Sequence, residues 1–347
     1  AKSGPGRTGY HAYDEAVTQA TVDWLAARGH GDADKPFLLT VGYVAPHCPF
    51  VAPPEDFEIY RDRIHSDDLP APDESLHPVN AAKRRRWGID TPPPRDAQWR
   101  TRVAYYGLCS FLDRQVGAVL TALEKAGLAK NTIVVYCSDH GEMLGEHGMW
   151  WKSTLYDRAS RIPLIVSCPG LLEAGAVVPE KVSLMDVGPT LLELAGAEPL
   201  PGATGRSFRP LLEHTDVPWD DTVFAEYTER GTHEPPSRMI RSGPWKFNYY
   251  HGHPPELFNL EDDPDEIRNL AGTPMLRDVE RTLRGRVLRH WDPDRVARRM
   301  ATRTDELALI ADWTRSTHPP EPDPLWFTEP PENWVERTNE HRTPTTE

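Results

Sequence analysis

The chain has 347 residues, 38% of them hydrophobic and 9% aromatic, with 35 prolines and a formal net charge of −14. That length suits one large α/β unit with a smaller appendage and a core that does not depend on disulfides. The acidic balance excludes a nucleic-acid partner, which needs a concentrated basic face, so an anionic small-molecule substrate requires a local cluster of positive groups.

No run approaches the ~18 apolar residues of a membrane helix, and no charged-then-apolar leader opens the sequence. The expectation is a chain with no membrane partner and a cytoplasmic location. Its first residue is Ala, and Asp14-Glu15-Ala16-Val17 enters a helical pattern almost at once, as if the start of the protein lay elsewhere. The four cysteines, Cys48, Cys109, Cys137 and Cys168, form no C-x-x-C pair, which argues against a zinc knuckle or a disulfide framework. Cys137 and Cys168 sit in apolar runs and read as buried thiols.

In chain order, Val17, Ala20, Val22, Leu25 and Ala26 make a helical stripe over Tyr13 to Ala27, and Phe37 to Val44 reads as a buried strand. The loop Ala45-Pro46-His47-Cys48-Pro49-Phe50 then opens a proline-rich, charged and irregular stretch to about Asp96. Phe111, Leu112, Val116, Val119, Leu120 and Leu123 repeat at helical spacing until Gly127 offers a stop. Ile133 to Cys137 and Ile162 to Ser167 read as strands, and Asp186 to Ala195 as a helix with Pro189 in its first turn. This alternation predicts a mostly parallel sheet flanked by helices.

Beyond the Pro/Gly-rich linker Glu198 to Gly205, the short alternating runs Thr222 to Tyr227, Arg238 to Arg241 and Trp245 to Tyr250 predict a small antiparallel sheet. Thr273-Pro274 and Asp292-Pro293 each pair an N-cap with proline at the first helical position. Leu276, Val279, Leu283 and Val287 follow the first, and Val296, Met300, Leu307 and Ala311 the second. The Arg-rich faces of these helices read as solvated surface. A proline-rich tail with Trp326, Phe327 and Trp334 closes the chain, and such aromatics need a surface to lie on, so a homo-oligomer is one expectation. The expected divisions are 1–212 for the large α/β unit, 213–275 for the antiparallel subdomain and 276–347 for the helical pair and tail.

Chemistry concentrates after the Ile133 to Cys137 strand, where Ser138-Asp139-His140-Gly141-Glu142 presents an acid and an imidazole. Ligands in open α/β sheets bind beyond such carboxyl ends. Asp139 suits a hard dication and His140 leans towards Mn²⁺ or Zn²⁺, but two ligands alone are too few for any of them. Lys152 follows the apolar and aromatic Met149-Trp150-Trp151, where an ammonium either meets an anion or snorkels to water. His47, between two prolines, is a turn histidine or a donor to an oxyanion.

The run Asn131-Thr132-Ile133-Val134-Val135-Tyr136-Cys137-Ser138-Asp139-His140-Gly141-Glu142-Met143-Leu144-Gly145-Glu146-His147-Gly148-Met149-Trp150-Trp151-Lys152-Ser153-Thr154-Leu155-Tyr156-Asp157 resembles the sulfatase branch of the alkaline-phosphatase superfamily. So do Arg161 to Val166, Trp245 to Tyr250 and Pro255 to Pro264. The resemblance implies an alkaline-phosphatase-like fold. It also implies a sulfuric ester hydrolase that cleaves small-molecule sulfate monoesters with a divalent metal, Ca²⁺ or alternatively Mn²⁺. Asp139 and His140 become metal ligands, Lys152 binds the sulfate, and His47 contacts the ester near the leaving-group oxygen.

Many sulfatases have Asn at the place of His140; histidine there is similar to choline-sulfatase-type enzymes and phosphonate monoester hydrolases. The resemblance also expects a formylglycine made within a C/S-x-P-S-R motif early in the chain. Glu234-Pro235-Pro236-Ser237-Arg238 imitates only the end of that motif, so the expected nucleophile lies outside this chain, before Ala1. Two alternatives stand beside the sulfatase reading: a phosphonate monoester or phosphodiester hydrolase of the same fold, and a non-catalytic sulfatase-like fragment.

Overall fold

The computed structural model describes residues 3–30, 35–65, 69–70, 76–229 and 234–319, with the backbone of 334–335. Strand β1 (Gly4–Arg7) leads into helix α1 (Gly9–His30). Strand β2 (Val51–Ala52) and helices α2 (Pro54–Arg61) and α3 (Pro78–Arg86) then precede the long α4 (Arg95–Lys125). Both α2 and α3 fall in the stretch expected to be irregular. Each begins with a proline, whose fixed φ and missing N–H suit the first helical turn, so the prolines that suggest loops are in fact helix starts.

Helix α4 is the spine of the N-terminal part. Asp96 in its first turn and Lys125 in its last oppose the ends of the helix dipole, and Gly127 follows at φ +73°, the left-handed position where helices stop. Val103, Ala104 and Leu108 of α4 pack with Phe50, Ala52 and Phe57. Farther along, Ala122 and Leu123 close on Leu25 of α1. Gly107 lets this packing tighten: a Cβ there would stand 2.8 Å from that of Ala52.

Strands β3 (Val134–Cys137) and β4 (Leu164–Ser167) occur where expected, with the four-residue helix α5 (Asp157–Ser160) between them. They pair antiparallel, Val134 opposite Ser167 and Cys137 opposite Leu164. A parallel crossover needs a dozen or more residues, usually a helix covering the sheet face. The connection here, Ser138 to Pro163, is long enough for a crossover but holds only a 3-10 turn (Glu146–Gly148) and α5, with no helix long enough to cover the sheet face. The parallel pairing is between β1 and β2, Gly4 with Val51 and Pro5 with Ala52, and β9 (Trp334–Val335) adds to β1 antiparallel. Trp326 and Phe327 of the tail lie outside the described residues.

Two further expectations are corrected. Phe37 to Val44 carries no strand pairing among the described residues, and Leu38 is 86% exposed; the run is held by α1 rather than by a ladder, with the Val44 N–H on the Asp14 carboxylate and the Phe37 ring edge-on to Trp24. Cys137 is exposed rather than buried, whereas Cys168 is buried, because Cys137 ends β3 where the strand opens onto the site loop.

After α6 (Leu184–Leu194), capped by the Ser183 side chain, and α7 (Arg209–Leu212), the C-terminal sheet is a four-stranded antiparallel meander. It runs β5 (Thr222–Tyr227), β6 (Ser237–Ser242), β7 (Trp245–Tyr250) and β8 (Glu256–Asn259). Helix α8 (Arg277–Val287) covers one face, burying Leu283 and Val287 against Ile240, Phe247 and Leu257. Helix α9 (Pro293–Thr317) starts at the expected Asp292-Pro293 cap, where the Asp292 side chain accepts the Arg295 N–H at 3.0 Å. The α/β class and the separate antiparallel sheet are thus both present. No helix among the described residues is long and apolar enough to cross a membrane.

Candidate active site

The loops after Tyr43 and after β3 open into one cavity of about 1190 Å³, and His47, Asp139, His140 and Lys152 all line it. The four residues singled out in the sequence are therefore brought together. Asp14 of α1 holds the first loop: its two carboxylate oxygens accept the Val44 and Ala45 N–H groups at 2.8 and 2.9 Å. Burial raises the Asp14 carboxyl above its ordinary range, against the pull of those two N–H donors.

His47 follows, its Nδ1 2.7 Å from the Cys48 carbonyl and its Nε2 2.7 Å from Lys152 Nζ. A carbonyl only accepts, so Nδ1 carries the proton and donates it there. The Nε2 lone pair is then the acceptor for the Lys152 ammonium, which assigns the tautomer from the hydrogen-bond network.

The second loop depends on close backbone approach at Gly141. Its N–H donates to the Ala159 carbonyl at 2.8 Å, and a Cβ on it would stand 2.1 Å from the Arg158 carbonyl oxygen. His140 Nδ1 lies 2.8 Å from the Gly141 carbonyl, and its Nε2 is 3.7 Å from Asp139 Oδ2. By the same logic Nδ1 donates and the Nε2 lone pair is left outward, the arrangement that fixes a metal-ligating histidine. The Asp139 side chain is 84% exposed, so its carboxylate needs no protein partner and can enter a cation's shell at little desolvation cost. This pair fits two ligand positions of a hard or borderline dication. Among the described residues no third His, Cys, Asp or Glu joins it in a metal-sized cluster.

From Glu142 the chain makes a tight excursion and returns at Lys152. Met143 N–H donates to Trp151 O and Gly145 N–H to Met149 O, both at 2.8 Å. Met143 and Met149 are fully buried against Tyr156, Ala159, Phe258 and Leu260, which ties the excursion to the C-terminal sheet. Leu144, His147 and Trp151 have φ of +47°, +53° and +65°, a region that costs a non-glycine residue about 1–2 kcal/mol. The Glu142 carboxylate supports two of them, its Oε1 accepting the Trp151 N–H at 2.6 Å and the Leu144 N–H at 3.2 Å. Burial pushes the Glu142 carboxyl up to about 7, opposed by these N–H donors and by Lys152.

Beyond Lys152, the Ser153 carbonyl accepts from Lys83 of α3, which is buried and also pairs with Glu234 at 3.2 Å. Asp157 and Glu266 then hold the buried Lys246 of β7 at 2.8 and 2.7 Å. Burial pushes the Asp157 carboxyl up, but Lys246 and Arg241 outweigh it and hold the group below its ordinary value.

Sequence reasoning missed Glu142 and three arginines on the cavity wall, Arg102, Arg158 and Arg161. Arg102 donates to the Leu144 carbonyl at 3.0 Å. Two of these arginines are paired on the same wall, Arg102 with Glu146 at 3.5 Å and Arg158 with Asp265 at 3.2 Å, so the cavity carries charges of both signs. Glu142 adjoins the motif residues, and that adjacency is a usable signal; the arginines come from α4 and the α5 region, and no pattern in the sequence links them to Lys152.

Comparison with known proteins identifies the family. The sulfatase family profile matches residues 2–197, and the profile of the N-sulphoglucosamine sulphohydrolase C-terminal region matches 145–292. The chain is 31% identical over 281 residues to a choline-sulfatase of Rhizobium meliloti, covering 77% of this chain and 53% of the relative. It is 32% identical over 272 residues to an arylsulfatase of Clostridium perfringens, covering 74% and 53%. A phosphonate monoester hydrolase from Silicibacter pomeroyi superposes with a TM-score of 0.66 at 27% identity, over 79% of this chain and 59% of that one. The chain spans about half the length of the curated relatives it matches. With a family profile over more than half its length, the chain belongs to the sulfatase family of the alkaline-phosphatase superfamily.

Proposed function

We propose that this chain carries the anion-binding and leaving-group side of a sulfate monoester hydrolase, together with two ligands of its cation. The observation that carries the reading is the meeting of Lys152 and His47 beside the Asp139–His140 pair in a single cavity. Lys152 offers an ammonium to an oxygen of the bound sulfate, where charge-assisted hydrogen bonds are the strong ones. When an anion takes that ammonium, the His47 Nε2 lone pair is released from it; once Nε2 takes up a proton from solvent in addition to the one on Nδ1, it is positioned to give that proton to the ester oxygen as the alcohol departs.

Asp139 and His140 Nε2 would hold a divalent cation, with Ca²⁺ proposed and Mn²⁺ the alternative. Bound there, the cation supplies positive charge to a tetrahedral oxyanion. The nucleophile is proposed to be a formylglycine outside these 347 residues, none of which stands in a C/S-x-P-S-R motif.

A second reading, phosphonate monoester or phosphodiester hydrolysis, is favoured by the 27% identity to the Silicibacter pomeroyi enzyme and by a histidine at position 140. Turnover of an aryl sulfate and of a phenylphosphonate monoester by the protein that includes the nucleophile region decides between them. Faster sulfate cleavage is expected, and faster phosphonate cleavage would overturn the first reading in favour of the second.

A further inference from the structure

We infer that Glu142 is a positioning residue for Lys152: one carboxylate oxygen gathers the Leu144 and Trp151 N–H groups and so fixes the strained backbone that delivers the lysine to His47. The inference rests on the reading of Lys152 as the anion-binding group.

The two residues whose N–H groups meet on Glu142 Oε1 are themselves in the left-handed region, at φ +47° and +65°. Neither leucine nor tryptophan adopts that conformation unless its surroundings impose it. Both N–H groups converge on that one oxygen, and the shared acceptor holds both residues in place. Trp151 is the residue immediately before Lys152, so a change in its φ swings the lysine away from His47 Nε2, 2.7 Å distant.

The other bonds across the excursion, Met143 to Trp151 and Gly145 to Met149, run backbone to backbone. They would close the loop in more than one twist. Glu142 supplies the side-chain contact that selects the observed one. Because a single oxygen takes both bonds, the role depends on the reach of the side chain and on an acceptor atom, not on negative charge.

That distinction sets the test. Glu142→Gln keeps the reach and one acceptor oxygen; Glu142→Asp keeps the charge but falls a methylene short. On the full chain, amide hydrogen exchange over 143–152 and the affinity for inorganic sulfate by calorimetry are compared for wild type, E142Q, E142D and Lys152→Ala. Expected are wild-type exchange in E142Q with affinity within about threefold, and faster exchange in E142D with affinity lowered about tenfold or more, the scale of a lost charged hydrogen bond.

The reverse order, with E142D near wild type and E142Q impaired, would show that charge is what matters and overturn the inference, as would wild-type behaviour in both. Should Lys152→Ala leave sulfate binding unchanged, the anion-site reading fails on its own. The exchange data then decide whether Glu142 sets the loop.

Discussion

Lys152 Nζ and His47 Nε2 stand 2.7 Å apart although 105 residues separate them in the chain. The contact pairs a donor-only group with an imidazole whose other nitrogen already gives its proton to the Cys48 carbonyl. An anion entering the cavity competes with His47 for the same ammonium, so the two side chains should act on an anion as a unit. Lys152→Ala, His47→Ala and the double variant are expected to be non-additive in inorganic sulfate affinity, with a coupling of about 1 kcal/mol. Calorimetric titration of the three proteins checks this, and strict additivity would separate the two residues.

Asp139 and His140 make a more specific prediction about metal choice. Imidazole favours borderline dications and carboxylate favours hard ones. His140→Ala should therefore weaken Mn²⁺ binding more than Ca²⁺ binding, and Asp139→Ala should weaken both. Since loss of a mere supporting contact costs tenfold or more, each loss here should be at least about tenfold. Equilibrium dialysis of the protein that includes the nucleophile region against each metal measures it, and equal losses of the two metals in His140→Ala would contradict the Nε2 ligand.

The site is legible in the sequence where its residues are local. Asp139 and His140 follow a β-branched strand, Lys152 returns ten residues after Glu142, and His47 sits between prolines after an apolar run. What the sequence hides depends on long-range geometry. The arginines of the cavity wall reach it from α4 and the α5 region, and helix faces do not announce which loops they will meet. The direction of β4 is hidden for a related reason: an apolar strand has the same composition whether its neighbour runs with it or against it, and only the connection decides. The helices at Pro54 and Pro78 are concealed by the residues that start them, since proline at a first turn and proline in a loop look alike without the following backbone.

Lys246 joins the site loop to the C-terminal sheet and is fully buried between Asp157 and Glu266. Replacing it with methionine preserves much of the stem's volume but leaves two carboxylates facing each other without their cation. Removal of one partner from a buried ionic cluster costs about 3–5 kcal/mol, and Lys246→Met should lower stability by that order in urea unfolding. Arg241, 2.8 Å from Asp157, remains as partial compensation. A loss below about 1 kcal/mol, the value typical of exposed pairs, would show that the cluster is solvated in practice.

His11 at the start of α1 gives a pH dependence whose sign can be worked out. The residue is 1% exposed, packs edge-on against Phe111 with ring centroids 4.9 Å apart, and accepts the Thr8 N–H at Nδ1. Burial, with a smaller contribution from Arg7, pushes its pKa down from 6.5 to about 4. Between those values the unfolded chain binds a proton that the folded chain refuses, so stability falls as pH falls through this window and is fully present above pH 6.5. A tenfold difference in proton affinity between the two states is worth about 1.4 kcal/mol, so the loss on reaching pH 4 is on the order of 3 kcal/mol. His11→Asn keeps an acceptor for the Thr8 N–H and cannot titrate, so its urea midpoint should lose less than that of wild type between pH 6.5 and 4. Parallel pH profiles for the two proteins would show that His11 is protonated as readily in the folded state as in the unfolded one.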